Sequence, residues 1–262
     1  MQGLGNDYVF LICLEDTPED LPGLARRLSD RHFGVGGDGL ICVCPSRKAD
    51  LRMRMFNADG SEGRMCGNGI RCLGKLAYDR GLTEKTSLDV ETPAGIKHLT
   101  LHTHSGRVAA VTVDMGTPEA GTPISVSAQG YSCTGRPVDL GNPHLVVYWD
   151  NLDTLPVTEL GRSLEGCSRF PDGVNAEFVR VDGRDRLTMR VWERGSGETL
   201  ACGTGACAAA VCAVTDGLAD ADVTVRLPGG ELSVHWDGGE NPVYMTGPAV
   251  TVFEGDIPIC NA

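Results

Sequence analysis

No stretch of this sequence approaches the roughly 18 consecutive apolar residues of a membrane-spanning helix. The opening Met1-Gln2-Gly3-Leu4-Gly5-Asn6-Asp7 also lacks the basic patch and apolar core of a signal peptide. A cytoplasmic chain with no membrane partner is expected. Positive charge is scarce: 23 Lys and Arg stand against 35 Asp and Glu, a formal net charge of −12. That balance disfavours nucleic acid, since neutralising phosphates takes clustered cations, and points to a small substrate. Missing too is any Cys-x-x-Cys pair. The close cysteines are Cys42 and Cys44, Cys66 and Cys72, Cys202 and Cys207, and Cys207 and Cys212, with the histidines far away in sequence, so the pattern predicts no metal site. Cysteine itself is abundant, but 11 is an odd number and no export signal accompanies it, which argues against a disulfide scaffold. Thiol chemistry at one or two sites remains, with the other cysteines, Cys260 among them, as small buried hydrophobes. At 262 residues, 41% hydrophobic and 22% charged, the chain is an ordinary globular protein of one large domain or two lobes.

The interval between Cys66 and Cys202, 136 positions, is a period of the whole chain. At that offset Met53-Arg54-Met55-Phe56 falls on Met189-Arg190-Val191-Trp192, and Glu62 falls on Glu198. Cys66-Gly67-Asn68-Gly69 falls on Cys202-Gly203-Thr204-Gly205, and Gly81-Leu82 on Gly217-Leu218. Ordered matches at one spacing indicate two copies of a unit of roughly 130 residues. Each unit reads as an alternating strand (Leu51 to Phe56, Leu187 to Trp192), a glycine-bearing loop, a helix and several short strands. The fold class expected is α+β: two pseudosymmetric lobes, each a sheet wrapped around a central helix, with the active site in the cleft between them. The lobes are expected at 1–118 and 119–248, with 249–262 returning to the first.

Cys66 and Cys202 each open one of these helices, where unpaired N–H groups and the positive end of the dipole concentrate. That placement predicts acidified thiols. The N–H groups of Gly67, Asn68, Gly203 and Thr204 form a cradle suited to a carboxylate. A carboxylate held there would offer its α-carbon to a sulfur on either face, one removing a proton and the other returning one. Lysine is scarce, with only Lys48, Lys75, Lys85 and Lys97, none in a setting that reads as a pyridoxal phosphate site, so no cofactor is expected. Gly34-Val35-Gly36-Gly37-Asp38-Gly39 matches a dinucleotide fingerprint formally, but the Leu40-Ile41-Cys42-Val43 that follows predicts a strand where the fingerprint needs a helix.

Several motifs together closely resemble the diaminopimelate epimerase family. They are Gly3-Leu4-Gly5-Asn6-Asp7-Tyr8, Phe56-Asn57-Ala58-Asp59-Gly60-Ser61-Glu62, Met65-Cys66-Gly67-Asn68-Gly69-Ile70-Arg71-Cys72, Gly141-Asn142-Pro143-His144, Asn175, Glu193-Arg194-Gly195 and Ala201-Cys202-Gly203-Thr204-Gly205. The resemblance implies epimerisation of LL- to meso-diaminopimelate by a cytoplasmic homodimer, on the route to lysine and cell-wall peptide. It implies that Cys66 acts on the L-configured centre and Cys202 on the D-configured one. Gly67, Asn68, Gly203 and Thr204 resemble the cradle, and Asn6, Asn57, Asn142, Asn175, Glu193 and Arg194 the remaining substrate contacts. His144 and Glu193 resemble neighbours that tune the thiols, and Phe253 stands at the implied dimer interface where many members have tyrosine. Gly39 stands where many members have glutamine, and the opening is a few residues short, so an upstream start is expected. Two alternatives stay open: a racemase of another amino acid such as histidine, and a redox or metal-binding thiol protein.

Overall fold

The computed structural model describes residues 1–128 and 130–258; Cys260 and the end of the expected 249–262 segment lie outside the described residues. The first half contains β1 (Gln2–Gly3), β2 (Asn6–Ile12), α1 (Leu21–Ser29), β3 (Gly39–Cys44), β4 (Leu51–Asn57), β5 (Glu62–Gly63), α2 (Gly67–Asp79), β6 (Ser87–Thr92), β7 (Gly95–His104) and β8 (Arg107–Gly116). After β9 (Glu119–Ala120), β10 (Ile124–Ala128) and β11 (Tyr131–Asp139), the pattern returns. It runs through β12 (Pro143–Tyr148), α3 (Val157–Glu165), β13 (Asn175–Gly183), β14 (Arg186–Glu193), β15 (Gly197–Thr199), α4 (Gly203–Thr215), β16 (Asp222–Leu227), β17 (Gly230–His235) and β18 (Val243–Pro248).

The repeat seen in the sequence is a repeat of topology. In the first half β2 and β3 are parallel, β3 and β4 antiparallel, β4 and β6 parallel, and β6 to β8 an antiparallel meander. Strands β12, β13, β14, β16, β17 and β18 reproduce those five relations in the same order. The halves join where β8 pairs antiparallel with β18. In that ladder Val111 faces Gly247, Ala110 faces Pro248 and Thr112 faces Thr246, the last two also bonding through their hydroxyls at 2.7 Å. These are the two α+β lobes expected. Beyond β18, Val250 exchanges two backbone hydrogen bonds with Gln2, and Glu254 pairs with Arg80 at the end of α2.

Local sequence explains the central helices. In α2 and α4 the N-cap is a cysteine whose sulfur accepts the N–H three residues on, Gly69 for Cys66 and Gly205 for Cys202. Gly81 and Gly217, with φ of +68° and +72°, end them in the left-handed conformation that glycine adopts without strain. Every residue from Ala206 to Ala213 is at most 1% exposed, so the middle of α4 has no solvent face and no polar stripe. One core runs through both lobes, joining Ile41, Leu73 and Val111 to Val191, Cys207 and Met245.

Each lobe holds a second helix that the sequence pattern does not predict. Pro22 and Gly23 disguise α1, whose start is capped by Asp20 accepting from Gly23 N at 2.8 Å. Gly161 disguises α3, and packing explains its presence: a Cβ there would lie 2.3 Å from the Trp192 ring. The two helices cover matching satellite cores, α1 over Leu40 and Phe56, and α3 over Phe178 and Trp192.

Candidate active site

The first turns of α2 and α4 abut. A Cβ built on Gly67 would lie 3.8 Å from the Gly203 Cα, and one on Gly203 lies 3.7 Å from the Gly67 Cα. Only residues without side chains let two backbones approach this closely. Met245 of β18 fills the space beside both, its sulfur 3.0 Å from the Gly203 Cβ position. Two positive dipole ends and their free N–H groups therefore converge on one place, bracketed by Cys66 and Cys202.

The two thiols have different surroundings. Cys66, partly exposed, donates to the Asn6 carbonyl oxygen at 3.3 Å and accepts from Gly69 N at 3.3 Å, with Tyr8 also against it. Cys202, buried, accepts from Gly205 N at 3.4 Å and sits 3.5 Å from the Thr204 hydroxyl. Asn142 donates to that hydroxyl at 3.4 Å. Glu193, at the end of β14, lies against Cys202, and the Thr199 hydroxyl donates to its carboxyl.

The expectation of acidified thiols needs correction. Burial pushes the Cys66 thiol up, beyond what the Gly69 N–H and Tyr8 recover by favouring the thiolate. Cys202 rises well above the ordinary thiol value, through burial first and then the carboxyls of Glu193 and Glu177. Burial likewise raises Glu193 above the usual carboxylate range, so it can hold a proton beside Cys202.

The structure brings most of the sequence-selected residues to this junction. Asn6, Gly67, Asn68, Asn142, Glu193, Gly203 and Thr204 surround the thiols directly or through one hydrogen bond. Asn175 donates to Pro143 O at 3.0 Å and accepts from Arg194 N at 2.9 Å, fixing the loop that carries the Arg194 guanidinium. That guanidinium bonds Asp172 O, and the Asn57 amide bonds Ser61, so neither reaches a thiol. His144 lies fully buried, its Nδ1 2.7 Å from the Glu177 carboxyl. Phe253 lies away from the junction, 66% exposed in the chain after β18.

Sequence reasoning missed Glu177 and the part Arg71 plays. Glu177 is a fully buried acid in the apolar run Ala176-Glu177-Phe178-Val179, and that placement was a readable signal. A Cβ on Gly205 would lie 2.7 Å from its carboxyl oxygen, so the acid sits directly beneath the start of α4. Arg71 is also fully buried and has no carboxylate partner among the described residues. Its guanidinium donates to Gly67 O at 3.1 Å, Asn68 Oδ1 at 2.9 Å and Pro248 O at 3.2 Å, tying α2 to β18.

Gly39 opens β3 with its backbone against β4. A Cβ there would meet Phe56 O at 2.1 Å and the Tyr8 ring at 2.9 Å. We therefore expect Gly39→Gln to destabilise the protein by about 1–3 kcal/mol through overpacking. At about 2–4 °C per kcal/mol the melting temperature should fall by several degrees, with no gain in turnover. An unchanged melting temperature in a thermal unfolding scan would show that this edge yields easily.

Comparison with known proteins gives the chain a family. The family model for diaminopimelate epimerase matches residues 1–120 and 137–252. A protein named diaminopimelate epimerase from Moorella thermoacetica is 50% identical, over 99% of this chain and 98% of its own length. One of the same name from Acetivibrio thermocellus is 48% identical, over 99% and 97%. Among solved structures, a phenazine biosynthesis protein of the PhzF family from Bacillus anthracis superposes with a TM-score of 0.79 at 20% identity, covering 99% of this chain and 95% of that one. A probable proline racemase from Agrobacterium radiobacter K84 gives 0.70 at 16% identity, over 96% and 90%. At those identities the two structures speak for the fold alone.

Proposed function

The chain belongs to the diaminopimelate epimerase family, and from that premise we propose that Cys66 and Cys202 are its acid/base pair, set on opposite faces of one α-carbon. The chain is an isomerase that interconverts LL- and meso-diaminopimelate, on the route to lysine and cell-wall peptide. The observation that carries the two-thiol reading is the abutment of two cysteine-capped helices at Gly67 and Gly203.

The reacting carboxylate sits on the N–H groups of Gly67, Asn68, Gly203 and Thr204, where both dipoles stabilise the negative charge that grows as the α-proton leaves. In the LL to meso direction, Cys66 as thiolate takes the proton from the L-configured centre and becomes a thiol. Cys202 as thiol gives its proton to the opposite face and becomes a thiolate. One C–H bond breaks, another forms, and the negative charge passes from one sulfur to the other. Before the next LL turnover Cys66 releases its proton to solvent and Cys202 regains one through Glu193, which is raised by burial, lies against Cys202 and is itself reprotonated from solvent. His144 tunes the same thiol environment from its bond with Glu177. At the distal end Arg194 takes the second carboxylate, while Asn6, Asn57, Asn142, Asn175 and Glu193 orient the polar groups between.

The functional lobes are 1–118 and 119–248, with the chain after 248 held to the first through Val250 and Glu254. The active form is a cytoplasmic homodimer joined through the face that carries Phe253, which with its neighbour Val252 leaves apolar surface exposed. The test is incubation with LL-diaminopimelate in deuterated water. Deuterium should appear at the inverted α-carbon as meso product forms, and a chain that leaves the α-position fully protiated would defeat the reading. Turnover of histidine or proline in place of diaminopimelate would instead reassign the substrate.

A further inference from the structure

The amide of Asn6 is held at both ends. Its nitrogen donates to Asp38 Oδ2 at 2.7 Å, and its oxygen accepts from the Asn68 nitrogen at 3.3 Å. Asn68 is fixed in turn, since its oxygen accepts from Arg71 at 2.9 Å and its nitrogen also donates to Ala201 O at 3.0 Å. The two outer members of this chain leave no choice. An ionised carboxylate only accepts and a guanidinium only donates, so neither amide can turn over without setting like against like. The Asn6 oxygen therefore faces Cys66, and the sulfur can meet it well only as a donor, with its proton in place. A thiolate there would face a carbonyl lone pair.

We propose that Asp38 and Arg71 are positioning residues which, through Asn6 and Asn68, hold Cys66 in its protonated form before substrate arrives. The proposal rests on the reading of Cys66 as an acid/base thiol. It adds a built-in bias of the resting site toward the protonated form of Cys66, set by the Asn6 oxygen against the Gly69 N–H and Tyr8. The titratable and charged groups that face Cys66 are Tyr8 on β2, Glu193 from the second lobe, Arg71 and Cys72 on α2, and Asp38 behind Asn6.

Asp38 is the member to change, because it is partly exposed and precedes β3, and its carboxylate also accepts from Asp7 N and Arg31. Asp38→Ala frees the Asn6 amide to turn its nitrogen toward the sulfur and stabilise the thiolate. The rate of Cys66 alkylation by iodoacetamide at pH 7, followed by peptide mass spectrometry, should rise about tenfold for each unit by which the thiol pKa falls. We expect at least a threefold rise, with Cys202 unaffected and epimerisation slowed. Asp38→Asn is the decisive partner, since it removes the charge yet keeps a carbonyl that can accept from Asn6; its alkylation rate should stay within twofold of the unmodified protein.

If Asp38→Asn accelerates alkylation as much as Asp38→Ala, charge acts rather than amide orientation, and the proposal falls. It falls also if neither variant changes the rate. Failure of the underlying reading looks different, because the protein would then stay active after Cys66 is fully alkylated.

Discussion

Replacing Cys66 or Cys202 by alanine is expected to abolish epimerisation, with kcat/KM lower by roughly 10³-fold or more in either single variant. Each direction needs one sulfur to take the proton and the other to return it, so neither can cover for its partner. Because the equilibrium between LL and meso forms belongs to the substrate, the loss must be equal in both directions. The carboxylate cradle is made of backbone N–H groups, which alanine leaves in place, so substrate affinity should change far less than turnover. Direct binding measurement beside a coupled assay separates the two, with circular dichroism to confirm the fold. Retention of a tenth of the activity by either variant would exclude the two-thiol mechanism. Cys207→Ala is the control, since that thiol is buried within α4 and should affect stability alone.

The second large effect is complete, reversible inactivation in air. The two cysteine-capped helix starts abut at Gly67 and Gly203, and both sulfurs lie within the electrostatic reach of Glu193. A small closure of the lobes would bring the Cα atoms into the roughly 4.4–6.8 Å range that a disulfide needs. Burial sets the pH dependence. Both thiols are pushed up from their ordinary value, so the thiolate that starts the reaction is scarce near neutrality. Its fraction rises about tenfold per pH unit below the pKa, and inactivation should quicken accordingly. Dithiothreitol should restore activity, and bound substrate should protect by standing between the sulfurs. Peptide mapping should find Cys66 joined to Cys202. Cys13 lies against Cys42 and Cys44 within the α1 core, and a bridge there instead would overturn this account.

Much of this was legible in the sequence because it is local or repeated. The cysteine at a helix start, the glycines beside it and the shared interval all survive projection onto one dimension, and the two helix starts they mark do abut. The thiol acidity was misjudged for the complementary reason. A helix dipole belongs to the helix and can be read from its first turn, whereas desolvation depends on what covers that turn, here the opposite lobe and Met245. Glu177, Asp38 and Arg71 escaped similarly. Each acts through a neighbour distant in sequence: Glu177 through His144, Asp38 through Asn6, and Arg71 through Pro248. Helices α1 and α3 were hidden by a proline and glycines whose local cost is repaid by packing.

The ladder between β8 and β18 carries a consequence for stereochemistry. Val113 and Met245, equivalent positions because they pair with the matching Leu99 of β7 and Val234 of β17, face each other, and on either side Thr112 with Thr246 and Asp114 with Tyr244 are mirror assignments of the same pair of sites. A twofold axis produces this isologous contact in an association of identical subunits. Identical subunits would be bound to place the same groups on both sides of the axis, and so to treat the two faces of a carbon alike. Covalent linkage lifts that obligation. Here one wall holds Asn6 against its sulfur and the other holds Glu193, so a symmetric frame presents unlike chemistry to the two hands of its substrate.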